Sequence, residues 1–363
     1  MGRAVLTARP SFCFGEMTNP PLTPFLPTRL NTGSWLTGYS LNELRKRVAA
    51  GQRMVLPICS LGTSPAQLSG LAPLVLPPLY HEALDRDLKA SLLTQVRKCF
   101  PFYEGTRERA ESRAIFDVVE LPPVRPTPLV HRPKVLAFSV DTAVEQHGPH
   151  LPLATDTIQS YGVLHRLASE VEGLVLGPPL DYGHLTWGLP FGFSIDLTPP
   201  LVARYVENFV NAIGEWMAPE SLYVVDVHGS HVHRAMIQQG LRASRCPHWA
   251  FRWLYDPLFE FTADRGDQHA GGVETALVEL IARDLVDPAW WPDRVADLAS
   301  RQMKMASAIE LSGDLPRFMR EIEERGFNGI VGDVRNYFQV NASELMARML
   351  AVAREDVQTL ISR

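Results

Sequence analysis

Glu145, His147 and Asp156 lie within one short stretch, VEQHGPHLPLATD (144–156), and two later clusters, DVHGSHVH (226–233) and DQHAGGVET (267–275), again set histidine beside carboxylate. Of the eleven histidines, nine fall between 147 and 269. A neutral imidazole near a carboxylate is the commonest way to hold zinc, manganese or iron. In extended chain, residues two apart face the same way, so Glu145 and His147 can reach one centre. Asp156 has two oxygens and could bridge a pair of ions ~3.5–4 Å apart, as two-metal hydrolytic sites require.

Taken singly, these residues have plainer roles. Asp156, inside Thr155-Asp156-Thr157, could cap a helix that starts there. Glu274 would favour the N-terminal end of its own helix. His231 and His233 flank Val232 in what reads as a surface loop, where a histidine is more often solvated than ligating. Three separate loops all gathering histidine and carboxylate after strands is harder to assign to chance.

The elements that must position these loops alternate. KVLAFSV (134–140), GLVLGPPL (173–180), SLYVVDV (221–227) and HWAFRWLY (248–255) read as strands. DTIQSYGVLHRLASEV (156–171), LVARYVENFVNAIGEWM (201–217) and GVETALVELIARDL (272–285) read as helices. Strand and helix in turn imply crossover connections and a mainly parallel sheet covered on both faces, hence an α/β fold of three α/β/α layers. Such sheets bind ligands beyond the C-terminal ends of their strands, which is where the three clusters fall.

Of the 29 prolines, 15 precede residue 133, and five lie in LPPVRPTPLVHRP (121–133). That run favours extended, semi-rigid chain and marks the expected boundary between an N-terminal extension (1–132) and a second unit (134–363). Within the extension, 40–51 and 83–100 read as helices and 53–61 as a strand, while 1–35 look irregular. The extension has one histidine, His81, before residue 120 and no carboxylate–histidine cluster, so it is expected to shape the pocket or an oligomer contact.

Composition narrows the rest. A formal charge of -5 without a basic face argues against a phosphate-backbone partner, so no nucleic acid is expected. No apolar run approaches the ~20 residues of a membrane span, so no membrane is expected. Cys13, Cys59, Cys99 and Cys246 are scattered without a C-x-x-C pair, which fits free thiols and a cytoplasmic location. There is no G-x-S-x-G elbow, no Walker pattern and no G-x-G-x-x-G. A small-molecule substrate and a homo-oligomer are the partners expected.

The string EQHGPHLPLATDT (145–157) resembles the signature of the creatininase (creatinine amidohydrolase) family, E-Q-H-G-P-H-L-P-L-x-T-D. VVDVHGSH (224–231), HAGGVET (269–275) and GIVGDVRNYF (329–338) are similar to its later N-G-H-G-G-N, H-A-G-E-x-E-T and G-x-x-G-D-P stretches, so the likeness spans about 134 to 345. The resemblance implies that Glu145, His147, Asp156 and His228 hold two divalent ions (Zn, Mn or Fe), with Asp156 bridging. It implies that His269 stands beside the scissile amide, and that Glu274 is a catalytic acidic residue which orients that histidine or touches a metal. Two cations would activate water and polarise a carbonyl while a histidine moves a proton to the leaving nitrogen.

The departures are specific. Creatinine-hydrolysing members carry a glutamate ligand where this chain has Ser230, leaving one metal a ligand short, with His231 as a candidate replacement; the first glutamate of H-A-G-E-x-E-T is Gly272. Creatinine itself is therefore not the expected substrate. The expectation is a metal-dependent amidohydrolase of a non-peptide or cyclic C–N bond, with biosynthetic amide formation or peptide trimming on the same site, or a silent binding subunit, as alternatives.

Overall fold

Every side chain of Val135–Ser139 is buried, which is what a strand covered on both faces requires. The computed structural model describes residues 35–99, 116–124, 132–185, 188–262, 267–287 and 294–363. Cys13, the irregular reading of 1–34, and most of the proline-rich run 121–133 lie outside the described residues.

Two parallel sheets result. In the first, β1 (Met54–Cys59) pairs along five residues with β4 (Phe116–Glu120), and its other edge takes β2 (Leu74–Val75) and then β3 (Leu79–Tyr80). The second has the order β6-β5-β7-β8, from β5 (Val135–Ser139), β6 (Leu174–Leu176), β7 (Ser221–Asp226) and β8 (Trp249–Trp253). Every pairing is parallel.

Among the described residues the helices of eight residues or more are α1 (Leu41–Ala49), α2 (Arg86–Cys99), α3 (Thr155–Glu170), α4 (Pro199–Met217), α5 (His231–Ala243), α6 (Gly272–Ala282), α7 (Met305–Ser312), α8 (Leu315–Arg325) and α9 (Ala342–Ile361). The period-2 alternation of the strands sorts them into layers. Leu136, Phe138, Leu222 and Val224 face α4 and α5, in one core with Phe209 and Leu241. Val135, Ala137, Tyr223 and Val225 face the opposite way, in a core with Ile158 of α3, Leu277 of α6 and Met349 of α9. This is the three-layer α/β/α arrangement expected.

Residues 35–99 and 116–120 share the first of these cores with the second sheet. Phe209 of α4 links them, its ring lying 5.8 Å from Tyr80 and 5.4 Å from Phe138. The N-terminal region also grips the loop before α3: Leu153 N–H and Ala154 N–H donate to the Tyr39 and Thr37 carbonyls, both at 3.1 Å or less. Among the described residues no helix is long and apolar enough to cross a membrane.

Candidate metal centre

All six candidate residues converge at the C-terminal ends of β5 and β7. Glu145 and His147 follow β5, Asp156 sits in the first turn of α3, His228 follows β7, and His269 and Glu274 flank the start of α6. Each is nearly inaccessible to solvent. Three groups of ligand atoms lie within 4.8 Å of one another: Glu145, Asp156 and His228; His147, Asp156 and Glu274; and Glu145, His147 and His269.

Asp156 joins the first two groups. Its Oδ2 is 3.3 Å from His228 Nδ1, while its Oδ1 is 3.3 Å from His147 Nε2. The cap reading of Asp156 does not hold: the N-cap of α3 is Ala154, without a side-chain cap, and Asp156 lies within the helix. Glu145 Oε2 stands 3.1 Å from His228 Nδ1, and Glu274 Oε2 stands 3.7 Å from His147 Nε2.

The two histidines are held in the tautomer a cation needs. His147 Nδ1–H donates to the Glu145 carbonyl at 3.0 Å, which turns the buried Nε2 toward Asp156 and Glu274. His228 Nε2–H donates to the His184 carbonyl at 3.1 Å, which turns Nδ1 toward Glu145 and Asp156. Behind them, Asp226 accepts from His228 N–H and Asp141 from Val227 N–H; burial raises both carboxyls, Asp141 to about 7.

Protons occupy the charge balance that cations would otherwise fill. Burial works against a charged His147, yet Asp156, Glu274 and Glu145 outweigh it and raise its pKa to about 9. His228 is likewise raised, by Glu145 and Asp156 against burial. Burial raises Glu274 to about 8. Asp156 stays well below the usual carboxylate range because His147 and His228 overcome burial, and Glu145 is lowered in the same way. Burial and the nearby His147 charge push His269 down to about 3. A buried imidazole nitrogen facing two carboxylates, with protons recruited to balance them, fits a divalent-ion site of mixed N/O donors.

His269 lies beside this centre. Its Nε2–H donates to the Gln146 carbonyl at 2.7 Å, its Nδ1 is 3.9 Å from Glu145 Oε1, and its ring is 4.2 Å from that of His147. The glycines after it serve packing rather than ligand approach. A Cβ on Gly271 would meet Asp267 Oδ1 at 1.5 Å, and one on Gly272 would meet Tyr337 N at 2.0 Å. Glu274 accepts from Ala270 N–H at 2.6 Å, which fixes it toward His147.

Ser230 and the two following histidines take other roles. Ser230 caps α5 by accepting from His233 N–H, and His231 is exposed on the first turn of that helix, outside every ligand group. The surface-loop reading fails for His233. It is fully buried on a helix, with Nε2–H donating to Val140 O and Nδ1 accepting from His184 N–H. Sequence reasoning passed over Thr142, whose hydroxyl touches Glu145, Asp156 and His228. Nothing in its own type or spacing marks it.

The family model for creatininase (creatinine amidohydrolase) matches residues 135–356. The chain belongs to the creatininase family of metal-dependent amidohydrolases. A mycofactocin precursor peptide peptidase of Mycobacterium ulcerans (strain Agy99) is 27% identical over 154 residues, which cover 40% of this chain and 57% of that protein. Among solved structures, a creatinine amidohydrolase (creatininase) aligns at 16% identity and TM-score 0.44, covering 63% of this chain and 89% of its own. A structure described as creatininase Mn aligns at 16% and TM-score 0.42, with 63% and 90% covered.

Proposed function

We propose that this chain hydrolyses a C–N amide bond of a small molecule at a two-ion centre. One ion would be held by Glu145, Asp156 and His228, the other by His147, Asp156 and Glu274. The observation that carries the reading is that the two oxygens of Asp156 face different N/O sets. In this reading Glu274 supplies the carboxylate missing at Ser230, the metal-touching one of its two expected roles.

Bound there, two divalent ions supply an activated water and Lewis acidity toward an amide carbonyl. The protein's own groups do the rest. His184 O and Glu145 O fix the two imidazoles, so only one nitrogen of each faces the centre. His269, anchored by Gln146 O with Nδ1 turned toward Glu145, would pass a proton toward the leaving nitrogen. The unit at 134–363 carries this chemistry, and the Thr37 and Tyr39 carbonyls brace the loop ahead of Asp156.

A second reading, trimming of a small peptide in a biosynthetic pathway, is favoured by the likeness to the mycofactocin precursor peptide peptidase. Both are tested by incubating metal-loaded and chelator-stripped protein with cyclic amides, formamides and short peptides, and following release of amine. Activity that disappears on stripping and returns with Mn or Zn supports the site. Cleavage confined to peptides selects the second reading, and equal activity with and without metal contradicts both.

A further inference from the structure

The Thr142 side chain is almost fully buried, and its hydroxyl ends among the ligand atoms of the first proposed ion. Oγ1 is 2.6 Å from Glu145 Oε2, 2.8 Å from Asp156 Oδ2 and 3.2 Å from His228 Nδ1. Those ligand atoms are themselves 3.1 Å (Glu145 to His228) and 3.3 Å (Asp156 to His228) apart. A hydroxyl has one proton to donate, so it cannot satisfy both carboxylate oxygens at once.

Two arrangements would put a hydroxyl so close to three ligands. If it stood where the ion belongs, the ligand atoms would be roughly 1.6 times farther from one another than from it, as around any tetrahedral centre. They are not: both sets of distances are about 3 Å. The hydroxyl and His228 Nδ1 instead stand about as far from the two carboxylate oxygens as from each other, as vertices of one small tetrahedron do. N/O ligands at ~2.1 Å from a tetrahedral ion lie ~3.4 Å apart, so a slight expansion of this cluster would seat one.

The geometry points to Thr142 as a fourth protein ligand, closing the ion site formed by Glu145, Asp156 and His228. The assignment rests on the two-ion reading above. The backbone holds the hydroxyl there. A Cβ on Gly183 would come within 2.8 Å of the Thr142 methyl, so only glycine at 183 leaves room for the methyl on that side while the hydroxyl faces inward. Valine at 142 has the same shape but puts a methyl at the fourth vertex. Serine keeps the oxygen.

The test compares wild type, Thr142→Ser, Thr142→Val and Thr142→Ala. Each is stripped, reloaded with Mn, dialysed and measured for metal per chain, and each is loaded with Co for its visible absorption. Circular dichroism checks the fold. Wild type and Thr142→Ser are expected to hold two ions and share a Co spectrum. Thr142→Val is expected to hold one. Should valine prevent folding, Thr142→Ala decides: one of its two ions should bind at least about 10-fold more weakly, with an altered Co spectrum. Two ions at wild-type affinity and an unchanged spectrum in the folded variants overturn the Thr142 assignment alone. A wild-type protein that takes up fewer than two ions overturns the two-ion reading and this assignment with it.

Discussion

Loading the centre with metal should expel protons in a number fixed by the cluster. At pH 7 the side chains by themselves hold three that a cation must displace: one each on His147, His228 and Glu274, whose pKa values are all raised. Glu145 and Asp156 are already ionised and His269 already neutral, so they release none. Two ions per chain should therefore release about three protons at pH 7. Displacing the His147 proton alone, from a pKa of about 9, costs about 3 kcal/mol, or roughly 100-fold in apparent affinity. Each of the three groups binds its proton more tightly folded than unfolded, so the metal-stripped protein loses stability as pH rises from the ordinary values toward 8–9. Metal affinity moves the other way, and the rise in Tm on metal loading should grow from pH 6.5 to pH 8.5. Titration calorimetry of stripped protein in two buffers of different ionisation enthalpy counts the protons. Release of less than one proton per chain, or an affinity indifferent to pH, would refute this charge balance.

Three further outcomes follow from particular side chains. His269→Ala should keep both ions and its fold while losing ~10²–10⁴ in turnover on the amide substrate; loss of metal would make His269 a ligand instead. Glu274→Ala should bind one ion fewer, read by metal analysis, because His147 and Asp156 alone leave the second set a ligand short. Phe209→Ala, which empties the contact between Tyr80 and Phe138, should cost about 3–5 kcal/mol in denaturant unfolding, and a change below 1 kcal/mol would show that the two sheets do not depend on that ring.

The parallel sheet was legible because each of its strands is a short apolar run followed by a turn, and the post-strand positions of Glu145, His147 and His228 came with it. The two oxygens of Asp156 suggested a residue able to bridge two ions, and in the structure they face His147 and His228. What stayed hidden depends on contacts between segments distant in sequence. By its own position Glu274 reads as an ordinary first-turn acid, and only the family resemblance marked it; Ala270 N–H turns it onto His147. Thr142 lies three residues before Glu145, and only the return of the chain after β5 brings its hydroxyl back onto the cluster. Ser230 suggested an incomplete site and His231 a substitute, because α5 was not recognised in HVHRAMIQQGLRA; the helix spends Ser230 on its cap and points His231 outward. Gly271 and Gly272 make room for Asp267 and the Tyr337 backbone, which nothing in their own segment announces.

The central claim is a pair of ions bridged by Asp156. A crystal of the Mn-loaded protein, with anomalous data collected at the Mn edge, tests it most directly. The account predicts two anomalous peaks, one on each side of the Asp156 carboxylate, the first against Glu145 and His228 and the second against His147 and Glu274. A single peak, or a pair that leaves either oxygen of Asp156 out of contact with metal, would contradict it.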